Sequence, residues 1–312
     1  MANKEKNFAS AIIYVYNCER RIQKFLDTII NIMEKNFDHS EIICVNDCSD
    51  DNSLNIIKQV SEKARTTSIS VVNMSYFQGL ELCMNAGLDL SIGDFVFEFD
   101  NTNLDFNPEV VMQIYNLSLQ GYDIVSASAN RKEKFTSRLF YYIFDKYADL
   151  EHSMTTESLR VLSRRVINRI SSMNHKIPYR KAVYANSGLK TKNIKYEITN
   201  SLNMKSNKRE KKYRQRLAIT SLILFTDMGY SFAKLMTWIM MIMSILMLLY
   251  SLVVYITLNP AAGWTTIMLF LAIAFFGLFG ILTIIIKYLQ ILVDLIFKRK
   301  NYSFESIEKI TK

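Results

Sequence analysis

Apolar runs of strand length alternate with segments of helical period over the first hundred residues. SAIIYVY (10–16) is an unbroken apolar run and predicts a buried strand. RRIQKFLDTIINIMEKN (20–36) then places Ile22, Phe25, Leu26, Ile29, Ile30 and Met33 on one stripe, which predicts a helix. EIICVND (41–47) predicts a second strand, ending in the turn NDCSDDNS, and SLNIIKQVSEKA (53–64) a second helix. SISVVNM (68–74) predicts a third strand, GLELCMNAGLDLS (79–91) a helix broken by Gly93 and Asp94, and FVFEFD (95–100) a fourth strand. Short apolar strands joined by helices predict βαβ units and a mostly parallel sheet. Polar residues gather just past the strand ends, at 16–19, 46–47 and 100–103. In an open parallel sheet those loops share the edge where ligands bind.

The pattern changes in the last third. LMTWIMMIMSILMLLYSLVVYITL (235–258) and TTIMLFLAIAFFGLFGILTIII (265–286) carry no charge. Each exceeds the roughly 20 residues that span a bilayer core. They predict a transmembrane hairpin joined by NPAAGW, with Trp264 near one interface. The flanks set its orientation. Lys205, Lys208, Arg209, Lys211, Lys212, Arg214 and Arg216 precede it against one acid, Glu210, and Lys287 and the run 298–300 follow it. The positive-inside rule then predicts a multi-pass cell-membrane protein with both termini in the cytoplasm.

The formal charge of +9 (38 basic, 29 acidic) includes this basic cluster. Beside a membrane hairpin it is read as attraction to anionic head groups, not as a nucleic-acid surface. LAITSLILFTDMGYSF, after the cluster, predicts an interfacial helix. The expected organisation is a soluble α/β domain (1–204), basic and interfacial helices (205–234), two membrane helices (235–290) and a tail (291–312). MANKEKNFAS is polar and runs straight into a strand, so no signal peptide is expected.

Cys18, Cys44, Cys48 and Cys83 have no zinc-ligand spacing, and the three histidines (His39, His152, His175) are scattered. Reduced cytosolic thiols filling core and loops are expected. No G-x-G-x-x-G or Walker sequence is present, which argues against dinucleotide binding and ATP hydrolysis.

AIIYVYNCERRIQKFLDTI, EIICVNDCSDDNSLNII and NAGLDLSIGDFVFEFD, in that order, resemble the family 2 glycosyltransferases of GT-A fold. RVLSRRVINRI, the basic EKKYR and the C-terminal hairpin resemble its membrane branch, the polyprenyl-phosphate glycosyltransferases, similar to dolichyl-phosphate mannose synthase and undecaprenyl-phosphate glucosyltransferases. The resemblance implies an inverting transfer from a nucleotide sugar, UDP-linked by preference, to polyprenyl phosphate on the cytoplasmic leaflet, for cell-surface glycan synthesis. It implies a base and ribose site at Tyr14, Tyr16, Asn17, Glu19 and Asp47. Packing is an equal reading for Tyr14, and a turn cap is the other reading for Asp47. Arg131 and Arg138, with Arg160 and Lys212 as further candidates, fall where the resemblance implies acceptor-phosphate contacts. A solvated basic helix face is the alternative for that group.

The chain departs from the family at the metal motif. Counting back from Pro108-Glu109, Asn101 and Asn103 occupy the Asp-x-Asp positions that would hold Mg²⁺ or Mn²⁺. An amide oxygen brings no charge, so metal affinity should fall. Asp100 would serve only through a one-residue slip, which strand alternation opposes; Asp105 is another nearby carboxylate. The loop at 76–80, YFQGL, lacks the family's two cations. Glu157 and Ser158 stand where an acceptor-side Gly-Asp is expected. Three function classes follow. One is an active transferase with an altered site. Another is a catalytically inactive relative serving as partner or scaffold for an active enzyme. The third is a nucleotide-sensing membrane protein. A homo-oligomer, or a complex with another membrane glycosylation protein, is expected.

Overall fold

The structure is a computed structural model. It describes residues 4–131, 135–147, 156–172, 179–185, 187–199, 208–225, separate helical positions between 235 and 292, and 304–309. The chain forms two compact units. One comprises Met1–Asp145, Leu150–Ala218 and Lys300–Lys312; the other comprises Lys146–Asp149 and Ile219–Arg299.

The first unit opens as the hydrophobic pattern predicts: β1 (Ala9–Val15), α1 (Glu19–Asn36), β2 (Ser40–Asn46), α2 (Ser53–Ser61), β3 (Ser68–Met74), α3 (Leu80–Leu90) and β4 (Phe95–Phe99). It continues with α4 (Glu109–Leu119), β5 (Ile124–Ala129), α5 (Phe135–Tyr147), β6 (Glu157–Ser163), α6 (Arg164–Ser172), α7 (Arg180–Ala185), β7 (Thr191–Tyr196), α8 (Lys208–Phe225) and β8 (Phe304–Lys309). The sheet has eight strands in the order β7-β5-β6-β4-β1-β2-β3-β8. β1 to β4 pair in parallel, and β7 runs parallel to β5. β6 and β8 run against their neighbours. This is an α/β architecture around a mostly parallel sheet.

Strand alternation sorts the core onto two faces. Ile13, Cys44, Val71, Phe97, Phe99 and Val161 meet the stripe of α1, where Ile22, Phe25, Leu26, Ile29, Ile30 and Met33 are buried as read from the sequence. Ile12, Val45, Val72 and Leu162 meet α3 and α6 through Met84, Ala86 and Val166. α3 lies so close to the sheet that a Cβ on Gly87 would stand 2.4 Å from Ile12 Cγ2. The four cysteines are free, with Cys18, Cys44 and Cys83 buried. Burial pushes the Cys44 thiol up to about 12, so it acts as a small hydrophobe.

The tail contributes a strand that the sequence pattern did not suggest. β8 pairs antiparallel with β3, Ser70 opposite Lys309 through Met74 opposite Phe304. It covers an edge that would otherwise present unpaired backbone groups. Deleting 301–312 is expected to lower unfolding stability by about 2 kcal/mol, at roughly 0.5 kcal/mol or more per lost backbone hydrogen bond. Chemical denaturation of the full and shortened chains measures it.

The apolar runs at 235–258 and 265–286 fall largely outside the described residues. Among the described residues no helix is long and apolar enough to cross a membrane.

Candidate functional site

The loops after β1, β2, β3 and β4 gather at one sheet edge, and short-range polar contacts fix them together. Asn17, at a left-handed φ of 44°, receives its place from the β2 loop. Its amide donates to Ser49 Oγ at 3.1 Å, and its Oδ1 accepts from the Asp50 amide at 2.9 Å. Glu19 repeats the exchange: its amide donates to Asp51 Oδ2 at 2.9 Å, and its Oε2 accepts from the Asn52 amide at 3.2 Å. Asn17 and Glu19 thus clamp the first two loops to each other.

Asp47 follows the last residue of β2 and is fully buried. Its carboxylate accepts from the Tyr14 hydroxyl at 2.8 Å, the Gln78 amide at 2.6 Å and the Gly79 amide at 2.8 Å. Gln78 and Gly79 precede α3, so the charge also meets the positive end of that helix. In this structure both Asp47 oxygens serve the chain's own donors, and the cap they form lies across the sheet, not in the local turn. Burial, then the Asp47 charge, push the Tyr14 phenol well above its ordinary range.

The β3 loop carries an aromatic cluster. Tyr16 and Phe77 lie with ring centroids 4.7 Å apart, and the Arg209 guanidinium sits 4.7 Å over Phe77. Tyr213 packs edge-on to Phe77 at 6.0 Å. Gly79 is required here twice over: its φ is +88°, and a Cβ would stand 2.2 Å from the Tyr213 ring. The start of α8, read from sequence as a membrane-surface segment, therefore closes over the β3 loop and belongs to the α/β unit. Lys211, Lys212, Arg214 and Arg216 on it remain exposed.

Glu98 and Asp100 point to the face opposite Phe97 and Phe99, into a buried ionic cluster. Arg160, directly across from Glu98 in β6, donates to Glu98 Oε2 at 2.8 Å and to Asp100 Oδ2 at 2.9 Å. Arg180 of α7 donates to Asp100 Oδ1 at 2.9 Å, to Glu81 Oε2 at 3.0 Å, and to Glu98 Oε1. The Tyr184 hydroxyl adds a donor to Glu98 at 3.2 Å. Burial alone would raise the Asp100 pKa, but Arg160 and then Arg180 overcome it and hold that carboxyl down at about 2. Arg160, a further candidate for acceptor phosphate on the resemblance, is 0% exposed and pairs in the core instead. Both Asp100 oxygens likewise accept from these two arginines, whose charges oppose a metal ion beside them. Arg180, Glu81 and Glu98 escaped the sequence reading. Two carboxylates at alternate positions of a buried strand were the available signal, because buried charges are paired.

On the α1 side of the sheet the Asp-x-Asp positions meet a cation. Arg21 Nη1 donates to Asn103 Oδ1 at 2.6 Å, and the Asn103 backbone N–H donates to Asn101 Oδ1 at 2.9 Å. Asp105 Oδ1 accepts from the Tyr196 hydroxyl at 3.1 Å. Among the described residues, no group of three or more His, Cys, Asp or Glu is placed to hold a metal ion. Two neutral amides beside a guanidinium fit Mg²⁺ or Mn²⁺ poorly.

The remaining candidates are dispersed. Arg131 follows β5 and is exposed, Arg138 is exposed on α5, and Lys212 is exposed on α8. Glu157 lies 3.6 Å from Arg160 Nε through Oε1. The Ser158 carbonyl accepts from the Asp100 amide at 2.9 Å, and that contact anchors the end of β4.

Comparison with known proteins bears on this edge directly. The family model for glycosyl transferase family 2 matches residues 10–171, more than half of the chain, and the chain belongs to that family. An uncharacterised glycosyltransferase of Synechocystis sp. is 27% identical over 182 residues, 56% of each chain. The prophage bactoprenol glucosyl transferase homolog of Escherichia coli K12 is 26% identical over 195 residues, 60% of this chain and 62% of that one. An undecaprenyl-phosphate 4-deoxy-4-formamido-L-arabinose transferase of Pseudomonas syringae is 30% identical over 128 residues, 40% of this chain and 37% of that one. The chain therefore spans between about a third and two thirds of the length of these relatives. Among solved structures, a mycobacterial protein superimposes with a TM-score of 0.51 at 16% identity, over 70% of this chain and 74% of that one. A weaker likeness, TM-score 0.49 at 14% identity over 70% of this chain and 76% of that one, is Mycobacterium tuberculosis glucosyl-3-phosphoglycerate synthase in complex with Mn²⁺, UDP and phosphoglyceric acid.

Proposed function

We propose that this chain transfers a sugar, with inversion, from a nucleotide sugar to polyprenyl phosphate at the cytoplasmic face of a membrane. Its membership of glycosyl transferase family 2 is the observation that carries the reading, because the matched residues include the whole loop edge from Tyr16 to Asn103. The relatives named for bactoprenol and undecaprenyl phosphate support the acceptor class. A base would stack beside Tyr16 and Phe77, and the diphosphate would run toward Asn101 and Asn103. An ionised phosphate oxygen of the acceptor forms the new bond to the anomeric carbon. The bond from that carbon to the nucleoside diphosphate breaks, and its electron pair leaves with the diphosphate. No proton need move. Arg131, Arg138 and Lys212, all exposed, are the cations offered to the acceptor.

Two observations favour a membrane hairpin. The chain leaves the α/β unit at Ala218 and rejoins it at Lys300, which suits an even number of crossings. Leu235, Ile239, Ile242 and Leu246, and Leu278, Leu282, Ile285 and Leu289, are exposed at helical spacing, an apolar surface suited to lipid. A second reading, an inactive partner of an active transferase, is favoured by the amides at Asn101 and Asn103. Full-length protein in vesicles containing undecaprenyl phosphate, given labelled UDP- and GDP-sugars in turn, separates the two. Label in the lipid extract with one donor is the expected result. Nucleotide binding without any labelled lipid supports the partner reading.

A further inference from the structure

The metal expected from the resemblance and the residues at its place disagree, and the disagreement has a definite form. We infer that Arg21 stands in for the divalent cation and holds the diphosphate of the donor directly. This rests on the donor-site reading above. Arg21 lies in the first turn of α1, half-buried, with Nη1 2.6 Å from Asn103 Oδ1. The Asn103 backbone N–H donates to Asn101 Oδ1 at 2.9 Å, so the turn that carries both asparagines is fixed while the Asn103 side chain holds the guanidinium.

Charge decides what such a unit attracts. Two aspartates with a dication sum to no net charge, whereas two asparagines with one guanidinium carry +1. A fixed guanidinium repels a dication and attracts a diphosphate, and its planar fork suits phosphate oxygens. The neighbouring carboxylates do not restore a metal site. Asp100 is locked by Arg160 and Arg180 on the opposite face of the sheet, and Asp105 accepts the Tyr196 hydroxyl. Two asparagines beside a guanidinium make a phosphate-binding device that needs no dication. A site that had only decayed would need no cation there.

The test is titration calorimetry of the full chain with UDP, GDP, UDP-glucose and GDP-mannose as probes, in Mn²⁺ and in EDTA. The wild type is expected to bind one nucleotide class with affinity unchanged within about twofold between the two conditions. Arg21→Gln keeps an amide donor for Asn103 and removes the charge. It is expected to weaken binding about tenfold to a hundredfold, the worth of one charge-assisted hydrogen bond. Asn101→Asp with Asn103→Asp is expected to lose binding in EDTA and regain it in Mn²⁺. Wild-type binding that requires Mn²⁺, or that Arg21→Gln leaves unchanged, overturns the inference and leaves the donor site standing. Failure of every probe to bind in either condition overturns the donor-site reading and the inference with it.

Discussion

Arg180→Ala is expected to remove about 3–5 kcal/mol of unfolding stability from the α/β unit, the usual effect of taking one partner out of a buried charge cluster. Three buried carboxylates, Glu81, Glu98 and Asp100, share Arg180, and only Glu98 and Asp100 also have Arg160. Truncation leaves Glu81 without its cation and the other two half-compensated. Against a typical total of about 5–15 kcal/mol, that loss makes the fold marginal. Arg180→Lys should recover little, because an ammonium cannot fork to three carboxylates from one position. The urea midpoint measures both. A loss below about 1 kcal/mol would show that water, not Arg180, stabilises these acids.

The same cluster sets a pH dependence. Asp100 titrates at about 2 in the folded chain against an ordinary 3.8. A depressed carboxyl stabilises the fold fully above the ordinary value and loses that contribution as pH falls toward the folded one. About 2 kcal/mol should therefore disappear between roughly pH 4 and pH 2.

Asp47→Ala is the second large effect, expected at about 3 kcal/mol because it strands three donors at once. The Tyr14 hydroxyl and the Gln78 and Gly79 amides are buried and have that carboxylate as acceptor. Asp47→Asn should cost about 2 kcal/mol, since its NH₂ would face a donor. Either change frees the loop that carries Phe77 and so should weaken nucleotide binding as well as stability. Equilibrium unfolding and nucleotide titration of both variants check this. An Asp47→Asn chain of unchanged stability that no longer binds nucleotide would assign Asp47 to the base and not to the fold.

The first four strands were legible because both faces of a parallel sheet are buried, so each strand reads as a continuous apolar run. β6 hides its nature. Its sequence ESLRVLS carries Glu157 and Arg160, and only the pairing of Arg160 opposite Glu98 makes those charges compatible with burial. β8, FESIEK, lies more than two hundred residues from the strand that it joins, and no local pattern announces that pairing. At the site, the loop residues Tyr16, Asn17, Glu19 and Asp47 were visible as polar groups after strand ends. Their partners were not, because Asp47 is satisfied by backbone amides 31 and 32 positions away. Arg21 carries no local signal for this site, because nothing near it in the sequence points to Asn101 or Asn103. The cation that answers them sits on a different element, 82 residues earlier.

This sheet edge is expected to bind a nucleotide sugar. Thermal unfolding of the full chain with a panel of UDP- and GDP-sugars tests it most directly. One conjugate at about a hundred times its dissociation constant should stabilise the fold by about 2.7 kcal/mol and raise the midpoint, with its free nucleotide doing so more weakly. No shift with any conjugate, at concentrations reaching the millimolar range, would contradict the claim.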